Sequence, residues 1–521
     1  MELQFERVLC IFAAMSKKVR VRFAPSPTGG LHIGGVRTVL YNYLFAKQHQ
    51  GDFVVRIEDT DQNRFVASAE KYIYETLSWC GLEPDESPKH GGAFAPYRQS
   101  ERKHIYKKYA EQLIEKGFAY YAFDTAEELD EMRIRLRTAE NPSPQYDQSI
   151  RMEMRNSLTL LRDEVEQLLR ENTPYVIRIK MPVDETVSFT DIIRGQVSFN
   201  TSLVDDKVLL KADGMSTYHL AVVIDDYLMQ ITHAFRGEEW LPSAPVHLLL
   251  WRYLFGVEKM PQWLHLPLIL GPGGKLSKRD AATYGYPVFA MNWADPITGE
   301  LTEGFREKGF LPQAFINMLA LLGWNDGTEQ EIFSLDELIE KFSLEKVHKG
   351  GAHFNFEKAK WFNHEWIKKV EVADLTNDVK KILQDRGINI ISDEFLNKVI
   401  GLVKDRCTLL TDFYEHSYFF FKAPDEYDVA AVKGKWNDSK KEFFKYLQAE
   451  LNSLQEWNSA FIENAFKNQA TLCSIKTGEL QLPFRVMLVG GKFGPPVFDI
   501  ASVLGRDETI NRISKALPQF D

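Results

Sequence analysis

The sequence predicts an α/β half followed by an all-helical half, and three stretches carry that prediction. Val19–Phe23 alternates Val19, Val21 and Phe23 with Arg20 and Arg22, the period of a half-buried strand. Pro25, Pro27, Gly29 and Gly30 force a turn, after which Val36, Leu40, Tyr43 and Leu44 fall on one face of a helix. An apolar run at Phe53–Ile57 then completes a strand–helix–strand unit, and with it a parallel sheet. From Phe310 onward the pattern is mostly helical.

The 521 residues suffice for several domains of ~100–200 residues each. A net charge of −10 gives no global basic footprint, so any nucleic acid must be bound by local patches. Cys10, Cys80, Cys407 and Cys473 are far apart, show no metal-ligand spacing and suit a reduced, cytoplasmic protein. No apolar run approaches the ~18 residues of a membrane span. The short apolar patch Val8–Met15 lacks the positive cluster of a signal peptide. Met15 is an alternative start, and residues 1–18 read as an N-terminal extension.

His32, Gly34 and Gly35 sit where the first turn enters the helix. A helix N-terminus favours phosphate, and glycine lets a ligand approach the backbone. On the glycines alone, an ordinary strand-to-helix turn is an equal reading. The longer string PSPTGGLHIGGVRT, however, resembles the first signature of class I aminoacyl-tRNA synthetases in the form of their glutamyl branch. That signature is named for His-Ile-Gly-His. Gly35 stands at its last position here, which leaves His32 as its only histidine.

Glu58–Asp61 follows the second strand at its carboxyl end, the edge where open α/β sheets bind ligands. It is equally a solvated turn capping the next helix. RIEDTD is typical of the glutamyl branch, and the resemblance implies that Glu58 pairs with the amino group of the amino acid. Ser100–Lys116 reads as a helix with Ser100 as N-cap, followed by a strand at Phe118–Phe123. Many relatives carry a zinc-binding Cys-x-Cys pair there. Ala122 and Asp124 occupy those positions here, so no zinc is expected.

A helix over Leu158–Arg170, a strand over Tyr175–Met181 and a hairpin over Phe189–Phe199 follow. Arg151, Arg155, Arg162 and Arg170 read either as a phosphate-contacting patch or as a solvated helix face paired with glutamates.

Leu220–Ile224 suits a buried parallel strand ended by Asp225 and Asp226. The string TYHLAVVIDDYLMQITHAFRGEEW resembles the amino-acid-selecting segment of the glutamyl branch. Gripping a side-chain carboxylate suits arginine, whose guanidinium is always charged and can donate two parallel hydrogen bonds. Arg22 and Arg236 are the candidates, with Tyr218, Ser26 and Glu58 completing the glutamate-binding set. Glutamine would leave such an arginine without its counter-charge. Each arginine alone is equally a structural ion pair.

In GPGGKLSKRD, Gly271–Asp280, a glycine-rich loop carries Lys275 and Lys278, cations suited to a transferring phosphoryl group. It resembles the second class I signature, Lys-Met-Ser-Lys-Ser. Leu335–Phe342, Asp374–Arg386, Ser392–Lys404, Ser439–Glu450, Asn458–Asn468 and Thr509–Leu517 are the clearest later helices. The closing string Arg485–Ile513 resembles the helical anticodon-binding portion of the bacterial-type enzymes.

The resemblance therefore implies a class I Rossmann-like catalytic core over 19–94 and 218–268, with an inserted acceptor-end domain over 95–217. A signature-loop and stem-contact region over 269–355 precedes an all-α anticodon-binding region over 356–521. It implies an ATP-dependent ligase, normally monomeric and cytoplasmic with no membrane partner. The ligase activates glutamate and transfers it to tRNA(Glu), with Mg²⁺ accompanying ATP and tRNA generally required for activation. His32, Gly34, Gly35, Lys275 and Lys278 would serve ATP, with His32 and the two lysines catalytic. Alternatives are a relative that glutamylates a tRNA base, which lacks such a tail, and a glutaminyl enzyme, which normally has β-barrel anticodon domains. An inactive tRNA-binding relative would have no need of His32, Lys275 and Lys278.

Overall fold

The structure, a computed structural model, describes residues 18–434 and 436–520. Apart from Lys18, the expected N-terminal extension, with Cys10 and Met15, lies outside them. The described chain forms two compact units. One comprises the residues up to Phe305 together with Phe315–Asn355; the other comprises Arg306–Ala314 and the residues from Phe356 on.

In the first unit the chain runs through β1 (Arg20–Phe23), α1 (Ile33–Gln48), β2 (Asp52–Val55), α2 (Lys103–Glu115), β3 (Ala119–Ala122), β4 (Val176–Ile179), β5 (Thr186–Asp191), β6 (Gly195–Asn200) and β7 (Val208–Leu210). It continues through α3 (Tyr218–Leu228), β8 (His233–Gly237), α4 (Ala244–Leu254), β9 (Gln262–Leu266), β10 (Ile269–Gly271), β11 (Gly274–Lys275) and α5 (Lys278–Tyr284). The main sheet has the order β2-β1-β8-β9-β5-β6. It is parallel from β2 to β5, with β6 antiparallel at the edge. Val21 pairs with Phe53 as the strand–helix–strand pattern requires. The return from α1 is so close that a Cβ on Gly51 would lie 2.4 Å from the carbonyl oxygen of Val19, so only glycine fits.

Four expectations are corrected. β1 is buried along its whole length, not half-buried. Arg20 and Arg22 are inside because each meets carboxylates: Arg20 Nη1 lies 2.7 Å from Asp52, and Arg22 Nε lies 3.1 Å from Asp226. Leu220–Ile224 is not a strand but the middle of α3, in which every residue from Leu220 to Asp226 is buried. An element apolar all round loses its period, so helix and buried strand read alike.

Third, Ser100 does not cap α2. Its N–H and hydroxyl both donate to Asp59, at 2.8 and 2.5 Å, and a short 3₁₀ turn, Gln99–Arg102, precedes the helix. Fourth, the helix expected over Leu158–Arg170 begins only at Arg162, leaving Leu161 73% exposed. Two of the arginines around it lie apart: Arg151 is buried against Asp206 at 3.2 Å, whereas Arg162 pairs with Glu166 on the surface.

The hairpin foreseen over Phe189–Phe199 is β5–β6, and it joins the main sheet through Asp191 and Trp263. β3, β4 and β7 form a separate antiparallel sheet beside a small core of Tyr120, Met132, Tyr146 and Met154. Asp124 accepts there from the Arg155 N–H at 2.7 Å and from the Tyr146 hydroxyl at 3.1 Å. Asp206 accepts from the Tyr120 hydroxyl at 2.7 Å, and burial pushes its pKa up to about 6. At the two positions where the resemblance would put thiolates, the chain thus carries a buried methyl group at Ala122 and a hydrogen-bonded carboxylate at Asp124. Elemental analysis of the purified, dialysed protein should find no stoichiometric zinc; one zinc per chain would contradict this reading.

In the second unit, Ser392, Asn437 and Asn458 start helices by accepting a backbone N–H three residues on. Helices at Phe356–Lys369, Asp412–Phe421, Thr477–Val489 and Val497–Leu504 add to those read from periodicity. No helix among the described residues is long and apolar enough to cross a membrane.

Candidate functional site

A cavity of about 670 Å³ opens at the carboxyl ends of β1 and β8 and along the starts of α1 and α3. Arg22, Ser26, His32, Gly34, Gly35, Glu58, Tyr218, Arg236 and Lys275 all line it. Lys278 does not; its Nζ lies 5.2 Å from the centre of the Phe289 ring.

At one end His32 caps α1. Its Nδ1 accepts the Gly34 N–H at 3.3 Å, which puts the ring proton of the neutral imidazole on Nε2. That Nε2 is buried and has no partner. The other early N–H groups of α1 are already used, Ile33 by the Val288 carbonyl at 2.9 Å and Gly35 by the His32 carbonyl at 2.8 Å. The free donor at this end is therefore the His32 side chain rather than the helix backbone. Gly34 faces open space, with His32 Nδ1 3.7 Å from where its Cβ would be, whereas a Cβ on Gly35 would meet Leu31.

The second signature is a hairpin, β10–β11, leading into α5, which begins at Lys278. Leu276 is buried, and Ser277 is held by Asp280 through two 2.7 Å bonds. Lys275 reaches Glu239 at 3.2 Å. Burial first, then the charges of Lys275 and Lys278, lower the His32 pKa to about 4.

At the other end the acidic and basic side chains form a buried chain of ion pairs. Arg22 meets both oxygens of Asp226, at 3.1 and 3.3 Å, and the Phe235 carbonyl at 3.0 Å. Arg56 joins Asp226, at 2.8 Å, to Glu58, at 2.9 Å. Arg102 meets Asp225 at 2.7 Å. Burial works against the charge on Asp226, yet Arg22 and Arg56 hold it below the usual carboxylate range. Burial raises the Glu58 pKa, opposed by Arg56 and Arg22.

Three arginines are thus matched by three carboxylates, and Arg236 is left over. It is 4% exposed, and the groups in direct contact with it are neutral: His247 Nδ1 at 2.9 Å from Nη1, and the Trp263 ring at 5.0 Å from Cζ, with Asp226, Glu58 and Arg22 acting on it only through space. Its Nε and Nη2 are buried without partners. Burial lowers its pKa, and a buried surplus cation beside a cavity is a strong anion receptor.

Arg56, Asp226, His247 and His219 were not singled out from sequence. Arg56 and Asp226 carried a signal, as charges interrupting or ending apolar runs. His247, one histidine within the apolar run of α4, carried none.

Burial holds His219 near a pKa of about 4 and His247 well below its ordinary value. His32, His219 and His247 are therefore neutral when folded and titrate near ~6.5 when unfolded. The unfolded state then takes up more protons as pH falls from ~6.5 towards 4, so stability falls with it. Each histidine should cost about 1 kcal/mol between pH 7 and pH 5.5. Thermal melts should show a lower Tm at pH 5.5 than at pH 7, the raised pKa of Asp206 offsetting only part of the loss; equal values would contradict neutral histidines in the fold.

Residues 18–361 match the family model "tRNA synthetases class I (E and Q), catalytic domain", and residues 358–517 match "Anticodon binding domain". The chain is 50% identical over 505 residues to a glutamate–tRNA ligase of Amoebophilus asiaticus, covering 96% of this chain and 98% of that protein. It is 51% identical over 506 residues to the corresponding ligase of Flavobacterium psychrophilum, covering 96% and 99%. The crystal structure of a glutamate tRNA ligase from Elizabethkingia meningosepticum, in complex with its amino acid, superposes with a TM-score of 0.91 at 48% identity. That match covers 97% of this chain and 100% of the other.

Proposed function

The chain belongs to the class I tRNA synthetases of the glutamate and glutamine group, and from that membership we propose how its cavity selects glutamate and activates it. The overall reaction consumes ATP and joins glutamate to tRNA(Glu). In the first step the α-carboxylate of glutamate attacks the α-phosphate of ATP, and pyrophosphate leaves. In the second, a terminal ribose hydroxyl of the tRNA attacks the activated carbonyl, and AMP leaves. Neither step needs a side-chain nucleophile; the protein positions groups and stabilises charge.

Arg236 takes the γ-carboxylate through its free Nε and Nη2, two donors on one edge that suit a bidentate grip. Glu58, held by Arg56, takes the α-amino group. Arg22, already bonded to Asp226, aligns the wall rather than carrying spare charge. Ser26 and Tyr218 line the same space. The His32 Nε2–H donates to the nucleotide at Gly34, and Lys275 and Lys278 stabilise the departing pyrophosphate. Mg²⁺ would accompany ATP as part of that substrate, helping to neutralise the phosphate charge. Residues 356–521 read the anticodon.

The observation that carries this reading is the unmatched charge of Arg236. The experiment is ATP–pyrophosphate exchange with tRNA(Glu) present. Exchange should depend on glutamate; exchange driven equally by glutamine would contradict the selection step.

A further inference from the structure

Arg236 on β8 lies beside His265 on β9 and is held by one hydrogen bond, from Nη1 to His247 Nδ1 at 2.9 Å. A guanidinium only donates, so Nδ1 must accept and the His247 proton sits on Nε2. That Nε2 is 3.1 Å from His219 Nδ1, which must accept in turn. The run Arg236–His247–His219 therefore has a single consistent proton arrangement, and every member beyond the arginine is neutral. With Nη1 occupied, the edge left open is Nε and Nη2, the pair found buried and unpartnered.

Arg22 shows the alternative. Asp226 holds it through two bonds, and in doing so cancels its charge. An arginine held that way would orient a γ-substituent but would prefer carboxylate over amide far less.

We propose that His247 is a positioning residue that sets amino-acid specificity: it holds the guanidinium of Arg236 with a neutral acceptor, fixing its direction without discharging it. His219 supports this by accepting a hydrogen bond from the His247 Nε2–H, which favours the tautomer that leaves Nδ1 an acceptor for Arg236. This rests on the glutamate reading given above.

H247N and H247D test it, because the two side chains share a shape and differ in charge. Either places an oxygen near the position of Nδ1. tRNA charging gives kcat/KM for glutamate and for glutamine, and thermal melts report folding. H247N should keep the ratio of the two within about threefold of the parent. H247D should lower that ratio by about tenfold or more, mainly through a raised KM for glutamate. An unchanged ratio in H247D overturns the proposal, as does an H247N that loses as much as H247D.

If H247D fails to fold, H247F decides, since it keeps a ring and removes the acceptor. Its kcat/KM for glutamate should then fall about tenfold or more while H247N stays near the parent. Parent-like charging by H247F overturns the proposal. A parent protein that charges no glutamate would instead defeat the functional reading itself.

Discussion

Arg236→Gln should cut kcat/KM for glutamate by roughly 30- to 5,000-fold. This follows from the ~2–5 kcal/mol lost when one member of a sheltered charge pair is removed, at ~1.36 kcal/mol per tenfold. The same change should narrow the preference over glutamine, because the amide no longer leaves a buried cation unpaired. Stability should move in the other direction or not at all. Among the described residues this guanidinium has no carboxylate in contact, Asp226 and Glu58 acting on it only through space, and its Nε and Nη2 have no partners. Removing an uncompensated buried charge relieves a cost. Near-normal charging of glutamate, within about threefold of the parent, would make Arg236 structural and return the role to Arg22. A large fall in Tm would point the same way.

Lys278→Ala should lower kcat for adenylate formation by about 10²–10³ and leave glutamate affinity almost unchanged, because the lost interaction forms only as negative charge develops on the pyrophosphate. Lys278 lies over the Phe289 ring, and Lys275 is engaged by Glu239. Leu276 is buried, and Asp280 accepts from Ser277. Normal ATP–pyrophosphate exchange by Lys278→Ala with tRNA present would remove this lysine from the reaction.

Where function is encoded locally, the sequence was informative. The first signature packs strand end, turn, cap and helix start into one string, and His32 stands at the cap because the helix begins one residue later. Where function depends on distant partners, it was ambiguous. Arg22 and Arg236 are the same residue type at the same sheet edge, and each was equally a structural ion pair. Only the fold brings Asp226 to Arg22 and a neutral imidazole to Arg236.

The misreading of Leu220–Ile224 had a similar origin. A helix buried all round has no polar face, so its run of apolar residues matched a central strand. Arg20 and Arg22 gave β1 the pattern of a half-exposed strand because ion pairs, invisible in the string, take the place of water. His247 left no trace at all, since a neutral histidine in an apolar helix differs little from any core residue until its neighbours are known.

The most direct test of glutamate selection by one uncompensated guanidinium is tRNA(Glu) charging with glutamate and glutamine side by side, in the parent and in Arg236→Gln. The parent should prefer glutamate by at least ~100-fold, and the variant should lose most of that ratio. A parent that charges both amino acids alike, or a variant that keeps the parent's ratio, would contradict it.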